Sequence, residues 1–222
     1  SVRWKHLTPR VKYNEQRYFQ VSYAYKRDFR DIQYYPLKGS YFKFEVKKLG
    51  TGIFNDINQL EFTASYSKFW DVGKKIYLAW MIKTKNSIPQ VQPWFNSRAF
   101  GYNQDLVRGY EFYVIDGQHY LLGKVTLKKQ LFSTTKELKT LIPIRQFQTI
   151  PFALYLKVYS DAGYVVNNNS LTAVYNPLTN SFLSGAGIGL DIVTFYDTVF
   201  RIEYSVNDRL EQGFYLHFEV DI

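Results

Sequence analysis

Residues able to do chemistry are few in this chain and poorly spaced for it. The three histidines, His6, His119 and His217, lie far apart. No H-E-x-x-H, G-x-S-x-G or phosphate-cradling glycine loop occurs, so the motifs of zinc hydrolases, serine hydrolases and P-loop NTPases are missing from the sequence. There is no cysteine, hence no thiolate nucleophile, thiolate metal site or disulfide. The carboxylates are dispersed, without the apolar pocket that raises a catalytic pKa. The expectation is a protein with no enzymatic activity, no metal and no cofactor. The charged residues offer ion pairing and solvation instead. A net charge of +9 fits either a surface for nucleic acid or anionic headgroups, or basic loops around a basic lumen. Nucleic acid is the weaker reading, because the aromatics mostly share the face opposite the charges rather than alternating with Lys and Arg on one exposed face.

The elements that must position these charges have period two almost throughout. Phe19, Val21, Tyr23 and Tyr25 alternate with Gln20, Ser22, Ala24 and Lys26. Phe42, Phe44 and Val46 alternate with Lys43, Glu45 and Lys47, and Leu60, Phe62, Ala64 and Tyr66 with Glu61, Thr63, Ser65 and Ser67. The same holds for Ile76, Leu78, Trp80 and Ile82, and for Leu121, Val125 and Leu127. It continues in Phe152, Leu154, Leu156 and Val158 against Ala153, Tyr155, Lys157 and Asp161, in Ile188, Leu190 and Ile192, in Phe200, Ile202 and Tyr204, and in Phe214, Leu216, Phe218 and Val220. That makes nine strands, with a partial tenth over Val2 to Leu7. Tight turns are expected at Asp71-Val72-Gly73-Lys74 and Tyr196-Asp197, and long loops over Asn86 to Asp116 and Tyr164 to Ser181. Asn167 to Asn169 read as a mobile loop tip.

Alternation alone suits both a soluble two-sheet sandwich and a membrane barrel. Three features favour the barrel. Most strands run about 9–13 residues, enough to cross a bilayer at a tilt. Aromatics gather toward strand ends (Tyr34, Tyr35, Tyr41, Phe69, Trp70, Phe195, Tyr196), as interfacial girdles do. The polar face mixes Lys, Glu, Asp, Arg and His, as a wet lumen would. The composition agrees: 20 Tyr, 18 Phe and 4 Trp make a chain far too aromatic to stay disordered. Ser1-Val2-Arg3-Trp4 opens without the apolar core of a signal peptide, so the expectation is a mature chain or a piece of a longer one.

Particular motifs sharpen this. Val107-Arg108-Gly109-Tyr110, in the longest loop, resembles the V-R-G-[FY] motif of the BamA/TamA superfamily of outer-membrane assembly and secretion barrels. Val158-Tyr159-Ser160-Asp161-Ala162-Gly163 resembles that family's F-x-D-x-G strand, with Tyr159 in the aromatic place. Arg30-Asp31 followed by Tyr35-Pro36-Leu37-Lys38-Gly39 resembles its R-D…P-x-x-G turn. The end, carrying Gly213, Phe214, Leu216 and Phe218, resembles the C-terminal strand that assembly machinery reads, although Ile222 stands where the family usually has an aromatic residue.

The resemblance runs from about residue 16 to 222 and implies an all-β, antiparallel transmembrane β-barrel in the bacterial outer membrane. Nine to ten strands would be present, as the C-terminal part of a sixteen-strand barrel. Residues 1–222 would then be one incomplete barrel domain, with the loop 86–116 folded into the lumen. It implies a non-enzymatic factor that inserts or exports proteins through a weakly paired seam, half of it the last strand. The alternatives are a membrane-anchor or export barrel fused to a passenger such as a patatin-like lipase, or a passive pore. Implied partners are outer-membrane lipid, unfolded outer-membrane or exported proteins, and other assembly subunits or a second copy that completes the barrel; nucleic acid is not among them.

Within that frame Asp161 falls on the lumen-facing set of its strand. The neighbouring strand presents Gly185, Gly187 and Gly189 on the same side, and glycines in a strand usually mark a close backbone approach. The expectation is that these three glycines clear space for the inserted loop, and that Arg108 meets Asp161 inside the barrel, locked by Val107, Arg108, Gly109, Tyr110, Asp161 and Gly163. The plainer alternative is a solvated Arg108 and an Asp161 that begins a turn before Gly163. Tyr110 and Glu111 are either anchors of the loop tip or ordinary loop residues. Asp191, Arg201, Glu203, His217 and Glu219 are lumen candidates with no role beyond solvation.

Overall fold

The period-two pattern becomes one long meander. A computed structural model gives the fold, and it describes residues 17–52, 56–90, 96–102, 105–137, 149–168, 176–194 and 198–220. In chain order the strands are β1 (Gln20–Asp28), β2 (Gly39–Leu49), β3 (Gln59–Gly73), β4 (Ile76–Ile88), β5 (Arg98–Phe100), β6 (Ile115–Asp116), β7 (His119–Glu137), β8 (Thr149–Val166), β9 (Phe182–Val193), β10 (Thr198–Asn207) and β11 (Gln212–Val220). Nine of them form one antiparallel sheet in the order β1-β2-β3-β4-β7-β8-β9-β10-β11. β5 and β6 pair with each other inside the long loop, a small hairpin that periodicity did not reveal. The expected tenth strand, Val2 to Leu7, lies outside the described residues, as do Phe195, Tyr196 and Asp197.

The register sorts every strand into the same two faces. One set of rows joins Lys43, Ser65 and Lys83 to Leu122, and Gly163 to Leu183. The alternate rows carry Phe42, Tyr66 and Ile82, then Leu156 and Leu190, then Ile202 and Leu216. Among the described residues, nothing packs on the second, apolar face. Phe214 is 78% exposed, Leu216 79% and Ile188 55%. A sandwich would have buried these stripes against a second sheet, whereas a barrel wall presents them to hydrocarbon.

The polar face is concave. Tyr35, in the connection between β1 and β2, donates its hydroxyl to Asp191 on β9 at 2.9 Å. Even the nearer of the two, β2, is five ladders from β9, about 24 Å in a flat sheet at roughly 4.8 Å per strand. Only a sheet curled around its polar side closes that gap. β1 and β11 each have a single partner among the described residues.

Some details differ from the sequence reading. The β3–β4 turn is centred on Lys74-Lys75, both at positive φ (53° and 61°), the conformation that fits the twist of a two-residue hairpin; Asp71 to Gly73 still belong to β3, around a bulge. Of the proposed girdle, Trp70 lies on the outward face. Tyr41 and Phe69 share the inward rows, and Tyr35 is buried inside, because its hydroxyl finds a carboxylate there. Asn167 is no mobile tip: it is buried, with its amide donating to the Asp116 carbonyl at 3.2 Å and accepting from Gln118 at 3.2 Å. Asn169 lies outside the described residues.

Candidate functional site: a loop docked on the inner wall

The loop between β4 and β7 folds onto the inner face because it has its own apolar underside. Ala99, Phe100, Val107, Tyr110 and Ile115 are buried against Tyr120 and Leu122 of β7, Val165 of β8, Leu183 of β9 and Leu178 in the turn before it. Burying a large side chain of this kind is worth about 1.5–3 kcal/mol. At Gly101 (φ +83°) a Cβ would fall 2.1 Å from the Tyr113 carbonyl oxygen, so the tight return of the loop requires glycine. Lys83 and the Tyr120 hydroxyl (2.8 Å) both hold Asp105 at the loop base.

This underside delivers Arg108 to Asp161. The Arg108 backbone N–H donates to Asp161 Oδ2 at 3.1 Å, Nε donates to the same oxygen at 2.8 Å, and Nη2 donates to Oδ1 at 2.5 Å. Nη2 also donates to Thr126 Oγ1 at 3.1 Å. The guanidinium lies on the Tyr159 ring, 3.7 Å from its centroid, and Nη1 stands 3.7 Å from Glu203. A planar fork meeting both carboxylate oxygens is the strongest form of such a pair. The Asp161 side chain is fully buried and that of Arg108 nearly so. Burial works against the Arg108 charge, but Asp161 and Glu203 outweigh it and hold the guanidinium above its ordinary pKa.

The glycines divide by role. At Gly163 an added Cβ would sit 2.5 Å from Phe100 and 2.8 Å from Val107, and at Gly185 it would sit 1.8 Å from the Arg108 carbonyl oxygen. These two positions clear the loop. Gly187 instead makes room for the Tyr159 hydroxyl (2.5 Å), and Gly189 for the Lys157 stem (2.9 Å), both also facing the β10 backbone. Two of the three glycines grouped by sequence therefore admit wall side chains, not the loop. Gly109 (φ +98°) presses against Asn207 of β10, whose side-chain amide donates to the Gly109 carbonyl at 3.0 Å.

Past Arg108 the loop reaches the last strands. Tyr110 is buried and donates to Asp208 in the β10–β11 turn; burial, with Asp208 beside it, raises the Tyr110 hydroxyl pKa. Tyr113 donates to Glu211 at 2.8 Å. The Phe112 ring lies 5.5 Å from that of Tyr215 on β11. Glu111 accepts from the Gly109 N–H at 2.8 Å, and burial raises its carboxyl pKa. Gly213, Phe214, Leu216 and Phe218 lie on β11; Phe214, Leu216 and Phe218 point outward and are exposed.

The remaining lumen charges, solvated groups by the sequence, are joined in the structure. Lys157 bridges Glu203 (2.7 Å) and Asp191 (2.5 Å), all three buried. Asp191 accepts from Tyr35, whose ring packs on Tyr155 at 4.9 Å and under the Lys128 ammonium at 3.8 Å. His217 Nε2 stands 3.2 Å from Glu203. A contact chain thus runs Arg108–Glu203–Lys157–Asp191–Tyr35, from the loop to the β1–β2 connection. The only early signal was strand parity, which put Lys157, Asp191 and Glu203 on one face without saying that they touch. Glu111, Glu203 and His217 bring one ligand atom each within 4.8 Å of one another, but Glu203 already has Lys157 as its cation. These contacts join the loop to the inner wall through paired charges.

A family model described as the Omp85 superfamily domain matches residues 9–217. No curated protein matches the chain. Among solved structures, the crystal structure of BamA from Haemophilus ducreyi lacking POTRA domains 1-3 is similar, with a TM-score of 0.64 at 14% identity. The likeness covers 90% of this chain and 41% of that one. At that identity it is a likeness of fold, and this chain spans less than half the length of the protein it resembles.

Proposed function

Since the chain belongs to the Omp85 superfamily, we propose that it forms part of the barrel wall of an outer-membrane factor that inserts or exports other proteins without chemical catalysis. The observation that supports this most is the docked loop: Arg108 is fixed to Asp161 inside a wall whose other face is apolar and exposed. The same loop reaches on to the last strands of the sheet, where a client chain would have to pair. An enzyme would need convergent reactive groups, and the charges here neutralise one another in pairs.

In this reading the Arg108 loop holds the lumen side of β8 to β11 in place while the far edge of β11 stays available. Gly109, Tyr110, Phe112 and Tyr113 touch β10, the β10–β11 turn or β11. The loop therefore sets the position of the last strand, and that strand is one side of the seam where a client chain would pair. The clients are unfolded outer-membrane or exported proteins, and other subunits or a second copy supply what else the task needs.

The test is reconstitution of the full protein in liposomes with a urea-denatured β-barrel client. Insertion appears as protease protection and heat-modifiable migration of the client. Faster insertion than in empty liposomes, lost in an Arg108→Ala variant that still folds, is the expected result. Liposomes that merely leak small solutes, with no gain in client insertion, would refute the assembly reading in favour of a pore. Client appearing only outside the vesicle would favour export over insertion.

A further inference from the structure

The outward face of the sheet carries charge of one sign only. Among the described outward-pointing strand side chains, from Val21 on β1 to Phe218 on β11, there is no Asp or Glu. There are four cations: Arg27, Lys48, Lys68 and Lys129. Lys48 stands at the loop end and donates to Asn58. The other three stand at the opposite end, where the short turns are. Arg27 is one residue from the end of β1, Lys68 faces Ser40 at the start of β2, and Lys129 faces Ile76 at the start of β4.

Arg27 lines a groove on this face, and Lys68 stands beside it, opposite the lining residue Ser40. Tyr25, Arg27, Phe29, Ser40, Phe42 and Tyr66 line a depression of about 480 Å³ on this outward face. The Arg27 guanidinium lies 4.7 Å from the Phe29 ring centre, and the Lys68 ammonium 5.9 Å from that of Trp70. Trp70 stacks on Trp80 at 6.4 Å, and Trp80 meets Tyr66 edge-on at 5.3 Å. Aromatic clusters of this kind mark the headgroup level of a barrel. Among the described residues, no carboxylate shares the outward face with these cations.

We propose that this groove is a binding site for an anionic glycerophospholipid, with an acyl chain laid along Tyr25, Phe42 and Tyr66 and the headgroup phosphate held between Arg27 and Lys68. Charge complementarity selects the occupant, since a one-signed basic patch at the interface favours anionic over zwitterionic headgroups. The inference rests on the reading that the outward face meets lipid.

Quenching by brominated lipid tests it. The full-length protein, with Trp4→Phe, Trp94→Phe and any tryptophan outside these 222 residues replaced likewise so that Trp70 and Trp80 alone report, is reconstituted in phosphatidylcholine vesicles. These contain an equal fraction of either brominated phosphatidylglycerol or brominated phosphatidylcholine. Each surface cation is worth about fivefold in preference for the anionic lipid, so Arg27 and Lys68 together should give about twenty-five-fold, falling with salt. An Arg27→Gln/Lys68→Gln double variant, checked as folded by heat-modifiable migration, should reduce the preference to about onefold, while Lys48→Gln at the far end leaves it intact. Equal quenching by the two lipids, or a preference that survives the double variant, overturns the site while leaving the barrel standing. Quenching by neither lipid overturns the site and the lipid-facing assignment together.

Discussion

Removing the Asp161 carboxylate tests the loop lock most directly. In Asp161→Ala three donors of Arg108 lose their acceptor: the backbone N–H, Nε and the shorter of the Nη2 contacts. The guanidinium keeps Thr126 at 3.1 Å, the Tyr159 ring, and Glu203 at 3.7 Å. Breaking a buried pair from one side costs about 3–5 kcal/mol. The surviving contacts and the neighbouring lumen place this case near the lower end, at about 3 kcal/mol, a factor of over 100 in the docking equilibrium. The loop should open often enough to be cut by a protease at its exposed tip, where Phe112 is 86% exposed. Urea unfolding of the reconstituted protein should shift to lower midpoint by the same order. The control is Arg108→Met/Asp161→Leu, which removes both charges together and should recover most of the stability. Charge reversal at both positions should rescue only in part, since it cannot restore the bond from the residue 108 backbone or the stacking on Tyr159. An Asp161→Ala protein with wild-type urea midpoint and an uncut loop would refute the reasoning. So would a double-mutant coupling below about 0.5 kcal/mol, the level expected of independent sites.

Lys157→Met leaves Asp191 and Glu203 buried without their shared cation, so it should cost about 3–5 kcal/mol by urea unfolding, as much as the loss of Asp161. Gly185→Ala should expel the loop, because the new methyl would fall on the Arg108 carbonyl oxygen; Gly123→Ala, whose nearest neighbour is 3.9 Å away, should leave loop proteolysis unchanged. Tyr35→Phe removes one hydrogen bond to a buried carboxylate and should cost about 1.5–3 kcal/mol, read from the thermal midpoint. Glu111 carries a raised carboxyl pKa because it is buried, so its contribution is fully present below the ordinary glutamate pKa and fades as pH rises through the raised value. Loop protection should therefore fall as pH climbs from the ordinary glutamate pKa through that raised value, and Glu111→Gln should flatten the trend.

The sequence was informative wherever a two-residue period decides the outcome. Parity alone assigned Asp161, Lys157, Asp191 and Glu203 to one face, because in a strand a residue's face is fixed by its count from its neighbours. Parity says nothing of distance across a lumen, so the Lys157 bridge and the Tyr35 contact stayed invisible; both join residues from different hairpins through space. Tyr35 was misplaced for a related reason. It sits in a connection, where alternation lapses, and an aromatic at a strand end suits an interfacial girdle as well as it suits an inward fold. The three glycines look like one device in the sequence because they share a face, but Gly187 and Gly189 answer to the bulk of Tyr159 and Lys157, which only packing reveals.

The contact chain from Arg108 to Tyr35 has a consequence that neither end has alone. Its members alternate in sign: Arg108 positive, Glu203 negative, Lys157 positive, Asp191 negative, with the Tyr35 hydroxyl closing the end. Each inner member is satisfied by two neighbours, so removal of any one leaves two groups short. Arg108 arrives on the long loop and Tyr35 on the β1–β2 connection, and both press against the wall formed by β8, β9 and β10. Undocking the loop withdraws a cation from Glu203, and Lys157 then shifts its share of charge toward Glu203 and away from Asp191. Tyr35 and Arg108 should therefore be energetically coupled although they share no contact. A Tyr35→Phe/Arg108→Ala cycle should show coupling of about 0.5–1 kcal/mol, above the scatter of independent sites. Replacing Lys157 by Met should abolish that coupling. Additive effects with Lys157 present would mean that the two loops dock separately and that the lumen charges are only neighbours.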